Sequence, residues 1–309
     1  MTYLITGGGG FIGRSLVRFL QAKEKKVFWT SLDTNPDPSH IQLDILDHQA
    51  VIKNIEKTKA DVIIHLAAMS SVKDSFTDWK NTIRTNYEGS FSVFEAVRKA
   101  NPSATIISTG SSAEYGEQAK SHDFLKEDLK PLPTNPYAIS KSSQAALVDF
   151  YHRVHKIKAI HIRPFAVIGP EKRGDFVSDF LIQALQCKHK LKSKIELGDI
   201  QRQRDFIDIE DFCHALEILE NKGIPGETYN VANGKANPLQ MIIDLALEIL
   251  KTPIEIKTSP AQLRLSDDHR LVADIKKLTV LGYSQKISLR ESVERILQHI
   301  EIQNLHMRS

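Results

Sequence analysis

A chain of 309 residues, 41% hydrophobic and 26% charged, has the make-up of one large or two ordinary globular domains, which excludes disordered and collagen-like architectures. Its 41 basic and 38 acidic side chains leave a net charge of +3, spread along the chain with no basic tail, so no nucleic-acid partner is expected. The 2 cysteines, Cys187 and Cys213, cannot build a disulfide scaffold or a four-ligand zinc site, no apolar run approaches the roughly 18 residues of a membrane span, and a glycine cluster after 6 residues leaves no room for a signal peptide; a cytoplasmic location and no membrane partner are expected.

Thr2–Thr6 reads as an apolar strand, Gly7–Gly10 as a turn, and Phe11–Ala22 as a helix with Phe11, Ile12, Leu16, Phe19 and Leu20 at helical spacing. Val27–Leu32 and Ile41–Leu43 are further strands, ending at Asp33 and Asp44, and Asp47 is placed to cap a helix through Lys57. Asp61–Ala68 is a fourth strand, almost continuously apolar, as in strands buried on both faces of a parallel sheet. A helix from about Trp79 to Ala100 leads to strand Thr105–Thr109, and one from about Pro136 to His155 leads to strand Ala159–Arg163. This alternation predicts an α/β fold, a Rossmann-type doubly wound parallel sheet. After Pro170 the rhythm changes: helices at Phe176–Gln186, Ile209–Glu220, Pro238–Leu250 and Leu289–Ile300 are separated by short strand candidates. Residues 1–169 are therefore assigned to a dinucleotide-binding domain. Residues 170–309 are assigned mainly to a smaller mixed α/β substrate-binding lobe, with segments such as Tyr229–Ala232 returning to the main sheet.

Between the first strand and helix, Thr6–Gly13 fits G-x-x-G-x-x-G at Gly7, Gly10 and Gly13. A side chain in such a turn would hold the backbone away from a pyrophosphate, whereas the helix N-terminus offers free N–H groups and a positive partial charge. Gly13 lets the helix pack closely on the strand. Asp33 follows 20 residues after Gly13, at the end of strand two, where a carboxylate accepts the adenosine ribose hydroxyls of NAD and repels a 2′-phosphate. NAD(H) is the favoured cofactor and NADP(H) the alternative; a solvated turn is the other reading of Asp33. Asp44 is placed either to reach the adenine amino group or to cap its own loop. His65, inside an apolar strand, reads as a packed residue rather than a proton carrier.

Tyr137 and Lys141 lie one turn apart early in a helix that Pro136 can start, so phenol and ammonium share a face. For a phenol to act near neutrality its pKa must fall by about 3 units, roughly 4 kcal/mol of preferential phenolate stabilisation, which the ammonium is expected to supply in part. The tyrosine would exchange a proton with a substrate hydroxyl or carbonyl as hydride moves to or from the nicotinamide ring. Hydroxyls at the C-terminal edge of strand five stand where α/β sheets bind ligands. Ser111 is the candidate to hold the reacting oxygen, with Ser112 as the alternative.

Together with His65–Ala68, Thr85-Asn86, Arg163-Pro164 and Arg204–Asp208, these residues resemble the extended short-chain dehydrogenase/reductases, the nucleotide-sugar epimerases, dehydratases and reductases, over nearly the whole chain. The resemblance implies that Gly7, Gly10, Phe11, Ile12, Gly13, Asp33, Asp44, Ile45, Leu66, Ala67, Ala68, Asn86, Tyr137 and Lys141 contact NAD(P). It also implies a homodimer through the helices after strands four and five. Ser70–Ser75, Gly110–Gly116, Phe176-Val177, Arg204–Phe206 and Ala261–Asp267 look most like GDP-4-keto-6-deoxymannose reductases. That similarity implies a nucleotide-diphosphate sugar, GDP-linked, as substrate, with Arg204 and Arg264 on its diphosphate and Asp267 on a ribose; it adds Lys73 and Ser112 to the substrate contacts. An arginine fork suits phosphate oxygens, and surface ion pairs are the other reading of both arginines.

Two departures shape the expected reaction. In the resembled dehydratases a carboxylate stands two residues after the Ser/Thr. Here that place holds Ala113, and Glu114, one place later, would point to the other face of an extended segment. Elimination is therefore not expected, whereas hydride transfer at a sugar carbon needs only Tyr, Lys and Ser. Asp33 stands where the resembled reductases carry residues that tolerate NADP, which leaves the direction open. The expected activity is NAD(P)H-dependent reduction of a GDP-linked 4-keto-6-deoxy sugar. The alternatives are an NAD-dependent 4-epimerase or 4-dehydrogenase with the same site and, more remotely, a non-catalytic NAD sensor.

Overall fold

Strand β1 (Thr2–Thr6) turns through glycines into α1 (Phe11–Ala22), followed by β2 (Lys26–Ser31), β3 (His40–Gln42), α2 (His48–Thr58) and β4 (Val62–His65). Three short helices, α3 (Val72–Thr77), α4 (Trp79–Ile83) and α5 (Gly89–Ala100), lead to β5 (Thr105–Thr109), and α6 (Pro136–His155) leads to β6 (Lys158–Pro164). Then come β7 (Ala166–Ile168), α7 (Phe176–Lys188), β8 (Lys194–Leu197), β9 (Gln203–Arg204), β10 (Phe206–Asp208), α8 (Ile209–Lys222) and β11 (Thr228–Val231). The chain closes with β12 (Asn237–Pro238), α9 (Leu239–Leu250), β13 (Glu255–Thr258), β14 (Arg270–Leu271), α10 (Lys276–Val280) and α11 (Leu289–His306). The computed structural model describes residues 1–259 and 269–306.

Seven strands form one parallel sheet in the order β11-β6-β5-β4-β1-β2-β3, so the connection reverses direction between β1 and β4. That switch point is where an open α/β sheet leaves a crevice beyond its strand ends. The central strands are buried on both faces: Val62–Ile64 and Ile106-Ile107 are all interior. Each such side chain contributes about 1.5–3 kcal/mol by leaving water. One core layer packs Leu16, Val17 and Leu20 of α1 and Phe212, Leu216 and Leu219 of α8 on one face of the sheet. The other packs Val51 and Ile55 of α2, Val93, Phe94 and Val97 of α5, and Leu147, Val148 and Tyr151 of α6 on the opposite face. A separate core lies among α7, α9 and α11, with Phe180, Leu181, Ile242 and Ile296. β11 pairs with β6 in the main sheet, Tyr229 opposite Ile162.

Two local expectations change. The helix expected from Trp79 to Ala100 is interrupted by a π-helical turn at Arg84–Glu88; such turns accommodate an extra residue in the helical ladder and recur at functional sites. Asn86 sits in that turn, fully buried. The fourth strand ends at His65 rather than Ala68: Leu66 still donates to the Thr6 carbonyl, and Ala67 and Ala68 turn away to wall the crevice beside the glycine turn.

Candidate active site

The glycine turn is shaped by backbone contact. Gly7 has φ +71°, and a Cβ there would stand 2.7 Å from the Ala67 backbone. A Cβ on Gly13 would strike the Gly7 carbonyl oxygen, so α1 approaches the turn only with glycine there. A Cβ on Gly10 would meet little else than the Gly7 carbonyl oxygen, at 3.4 Å, so at this position the turn faces open space. A cavity of 660 Å3 opens from Gly7, Gly9 and Gly10 past Asp33, Asp44 and Ile45 to Ala67 and Ala68. Bare backbone at a helix N-terminus beside a long, half-apolar cleft fits a dinucleotide's pyrophosphate and adenosine. The cleft's charged lining is Arg14 against Asp33, Asp44 and Asp78. Arg14 is already engaged, pairing with Glu171 at 3.1 Å and donating to the Gly9 carbonyl.

Other predicted contacts take more specific places. Asp44 lines the cleft and also caps its loop, its Oδ1 accepting the Leu46 N–H at 2.9 Å. Asn86 lies behind the cleft wall: its Nδ2 donates to the Met69 carbonyl and to Ser140 Oγ, both at 2.9 Å, and its Oδ1 accepts the Met69 N–H at 2.8 Å. With three of its four hydrogen-bonding positions so occupied, Asn86 holds the Ala67–Met69 segment in position. Phe11 and Ile12 pack against the core at the start of α1, and Leu66 joins them.

Tyr137 and Lys141 project from the first two turns of α6. Asn135 caps this helix by accepting the Ala138 N–H at 2.9 Å, and Pro136 supplies a preset φ at its start. Tyr137 is 8% exposed and Lys141 3%. The ammonium lies 6.0 Å from the centre of the phenol ring and donates to the Thr109 carbonyl at 2.7 Å and Gln144 Oε1 at 3.1 Å. Burial pushes the Tyr137 phenol up to about 12, against a hydrogen bond with Ser111 that draws it down; Glu114 raises it further. Burial brings Lys141 down to about 8, with Glu114 opposing. The expected depression of the phenol by the ammonium is therefore not supplied by the protein's own groups, because desolvation outweighs them. At neutral pH Tyr137 carries its proton.

Ser111 begins the 3₁₀ segment Ser112–Lys120 as its N-cap. This corrects the extended geometry expected around Glu114. Ser111 Oγ accepts the Ala113 N–H at 3.1 Å, and Glu114 Oε1 accepts the Ser111 N–H at 2.8 Å. Glu114 turns inward, fully buried, to meet Arg163 Nε and His161 Nε2, each at 2.9 Å. Burial pushes its carboxyl upward, but His161, Arg163 and the Ser111 N–H together hold it below the ordinary carboxylate range. Ser112 is buried beside it. His65 is likewise internal: Nδ1 meets Thr6 Oγ1 at 2.7 Å and Nε2 meets Ser90 Oγ at 2.8 Å. Burial, with the Lys141 charge adding to it, drops its pKa to about 3, so the ring is neutral.

A second cavity, of 390 Å3, lies between α7, β8 and β9 and is lined by Lys172, Asp175, Phe176, Arg202, Arg204 and Phe206 among others. Arg204 projects there from β9. Lys73 stands exposed on α3 and lines neither cavity. Arg264 and Asp267 lie outside the described residues.

Three features escaped the sequence reading. Glu114 as a structural anion was detectable, since Ser111-Ser-Ala-Glu114 is a capping box. Asp205 had no such signal: buried, it accepts the N–H groups of Asn233 and Gly234 at 2.9 Å and Ala273 at 3.1 Å. It thereby ties the strand carrying Arg204 to the loop beyond β11 and to the chain after β14. The third is the bridge from Arg14 to Glu171, whose neighbour Lys172 lines the second cavity.

Residues 4–296 match the family described as GDP-mannose 4,6 dehydratase. The chain is similar to the GDP-6-deoxy-D-mannose reductase of Pseudomonas aeruginosa, 29% identical over 300 residues covering 96% of each chain. It is 30% identical over 306 residues, 97% of each chain, to the GDP-6-deoxy-D-talose 4-dehydrogenase of Aggregatibacter actinomycetemcomitans. Among solved structures, RMD from Pseudomonas aeruginosa complexed with NADPH superposes with a TM-score of 0.86 at 27% identity, covering 97% of this chain and 99% of that one. The UDP-glucose 4-epimerase of Thermotoga maritima with UDP-glucose superposes with a TM-score of 0.88 at 24% identity, covering 98% and 100%, a likeness of fold.

Proposed function

Since this chain belongs to the GDP-mannose 4,6-dehydratase family of short-chain-type, NAD(P)-dependent nucleotide-sugar oxidoreductases, we propose that it reduces the 4-keto group of a GDP-linked 4-keto-6-deoxy sugar. The observation that carries this reading is a buried, protonated Tyr137 with Ser111 and Lys141 beside it. Ala113 has only a methyl where elimination would need a proton-transferring side chain, and Glu114 is enclosed by Arg163, His161 and the Ser111 N–H. A nicotinamide dinucleotide held along the glycine turn supplies the hydride when bound. Ser111 holds the carbonyl oxygen and Tyr137 gives it a proton as negative charge develops there. Lys141, anchored on the Thr109 carbonyl, places a positive charge under the phenol and favours that transfer.

The cofactor preference follows from the cleft. Three carboxylates and one already paired arginine line it, a field that disfavours an added 2′-phosphate and favours NADH over NADPH. Arg204, with Arg202 and Lys172 beside it, is assigned to the diphosphate in the second cavity, making the region after Gly169 the substrate lobe. A second copy of the chain is assigned to the apolar face where Phe91 of α5 and Phe150 of α6 both rest against Tyr151 while staying 43% and 40% exposed; sedimentation at the rate of a single chain would refute it.

The direct test supplies a GDP-linked 4-keto-6-deoxyhexose with NADH or NADPH and follows the absorbance of the reduced nicotinamide. Stoichiometric oxidation of NADH with formation of one 4-hydroxy sugar is expected. Inversion of a saturated GDP-hexose with no net change in cofactor would replace the reading by 4-epimerisation. Release of water from GDP-mannose would replace it by dehydration.

A further inference from the structure

We propose that Glu114 is a positioning residue: a buried anion that seats Ser111 against Tyr137 and imposes its charge on the Tyr137–Lys141 pair, without meeting substrate. The proposal rests on the reading of Ser111, Tyr137 and Lys141 as the reacting groups. Two observations on geometry carry it, and the electrostatics of the site agree with them. First, Glu114 closes both halves of a capping box with Ser111: Oε1 accepts the Ser111 N–H, and Ser111 Oγ accepts from the segment's first turn. With one of that oxygen's two acceptor positions taken by the Ala113 N–H, the hydroxyl keeps its proton to donate to the phenol or to the reacting carbonyl.

Second, the site is cut to hold a carboxylate. A Cβ on Gly110 would strike both Glu114 Oε1 and His161 Nε2, so glycine at the end of β5 is what lets the two meet beneath the turn. Arg163 fixes the other oxygen through Nε, lies 4.6 Å from the centre of the Tyr115 ring, and donates to the Glu127 carbonyl at 3.2 Å. The electrostatics agree, since the Glu114 charge raises both the phenol and the amine of the reacting pair. The groups facing it are Ser111 on its own segment, His161 and Arg163 from β6, and Tyr137 and Lys141 from α6; Tyr115 lies against Arg163, and His65 of β4, neutral, faces Lys141. Burial weakens solvent screening, so an ionised carboxylate at this depth favours the protonated phenol and the protonated amine together. That keeps Tyr137 charged with a proton for reduction and keeps Lys141 cationic despite its burial.

The test compares the wild type with Glu114→Gln, which keeps the shape and an acceptor for the Ser111 N–H but removes the charge. Two readouts are taken: the pH profile of kcat for the keto-sugar reduction, and the titration of the Lys141 side chain followed by NMR on 15N-lysine-labelled protein, which needs no turnover. The alkaline limb of kcat and the Lys141 titration are both expected to move toward lower pH by about one unit, with little change in KM. A uniform fall in kcat with both titrations unmoved would reduce Glu114 to a packing role and overturn the proposal. If Arg163, left without its partner, prevents Glu114→Gln from folding, the double variant Glu114→Leu/Arg163→Met removes both charges and the acceptor for the Ser111 N–H; the Ser111-seating half then predicts a lowered kcat at every pH, and wild-type kcat in that variant would overturn it. Full turnover in Tyr137→Phe would sink the reaction reading itself, while the Lys141 titration would still decide the effect of the charge.

Discussion

The two cavities of this protein are built from different materials. The dinucleotide cleft has one wall of main chain, Gly7, Gly9 and Gly10 before α1 and the Ala67–Met69 segment that Asn86 clamps. The second cavity is walled by side chains from α7, β9 and β10, with Lys172 paired to Asp175 at 2.7 Å and Arg202 to Asp199 at 3.5 Å. Backbone has one chemistry, so a wall of it suits a ligand part that never changes. Side chains can be exchanged singly without rebuilding a turn, so a wall of them suits the part that distinguishes one sugar nucleotide from another. Tyr137, Lys141 and Ser111 stand apart from both, on α6 and the end of β5, where neither change of wall disturbs them.

Variants in each region test that division, and the largest effect belongs to the shared chemistry. Tyr137→Phe should lower kcat by about 10³-fold in steady-state assays, the range lost with a general acid, while Kd for NADH by fluorescence stays within about threefold. A large loss of NADH affinity would mean that the phenol also builds the cleft. Next in size is Gly13→Ala. Its methyl would enter the space of the Gly7 carbonyl, an overpacking cost of about 1–3 kcal/mol. The expected outcome is a Tm lowered by about 5 °C and a Kd for NADH raised about 100-fold or more, roughly 3 kcal/mol. Unchanged cofactor affinity would break the claim that main chain makes this wall.

How much of this was legible in the sequence follows from the same contrast. The glycine turn and the ends of α6 were readable because glycine spacing, Asn135-Pro136 and the Tyr137/Lys141 interval act locally, within a turn or two of chain. Strand β5 and helix α6 have the expected bounds, Thr105–Thr109 and Pro136–His155, since alternation of apolar and turn residues marks both. The π-helical turn at Arg84–Glu88 was not legible: it depends on Asn86 reaching Met69 and Ser140, contacts 17 and 54 residues away. Of Glu114 only its local capping box was readable, not its buried charge partners, and Asp205 was opaque, for the same reason. Their partners, Arg163 and Gly234, lie 49 and 29 residues along the chain and come together only through the sheet. The high pKa of Tyr137 was missed because a motif gives the neighbouring charge but not the burial that outweighs it.

The side-chain wall should respond to a single exchange without touching the other cavity. Arg204→Met removes one charge-assisted donor set, worth about 1.5–3 kcal/mol to a phosphate, and should raise KM for the GDP-sugar about 10- to 100-fold. The Kd for NADH should be unaffected. If both constants rise together, the two cavities are mechanically joined, and the Arg14–Glu171 bridge is the contact to examine first.

The smallest effect expected is the one that separates cofactors. Asp33 is an exposed carboxylate on the cleft rim, where solvent screens its charge and limits it to modest discrimination. Asp33→Asn keeps an acceptor for a ribose hydroxyl and removes the repulsion of a 2′-phosphate. The ratio of kcat/KM for NADPH over NADH should therefore rise about tenfold, mostly through a lower KM for NADPH, and the gain should shrink as salt is added. A ratio that does not move would transfer cofactor choice to Asp44 or Asp78, the other carboxylates of the same wall. Because Asn at position 33 leaves the glycine turn untouched, this variant changes what the cleft prefers without changing whether it binds, which is the distinction between a side chain on the rim and main chain in the floor.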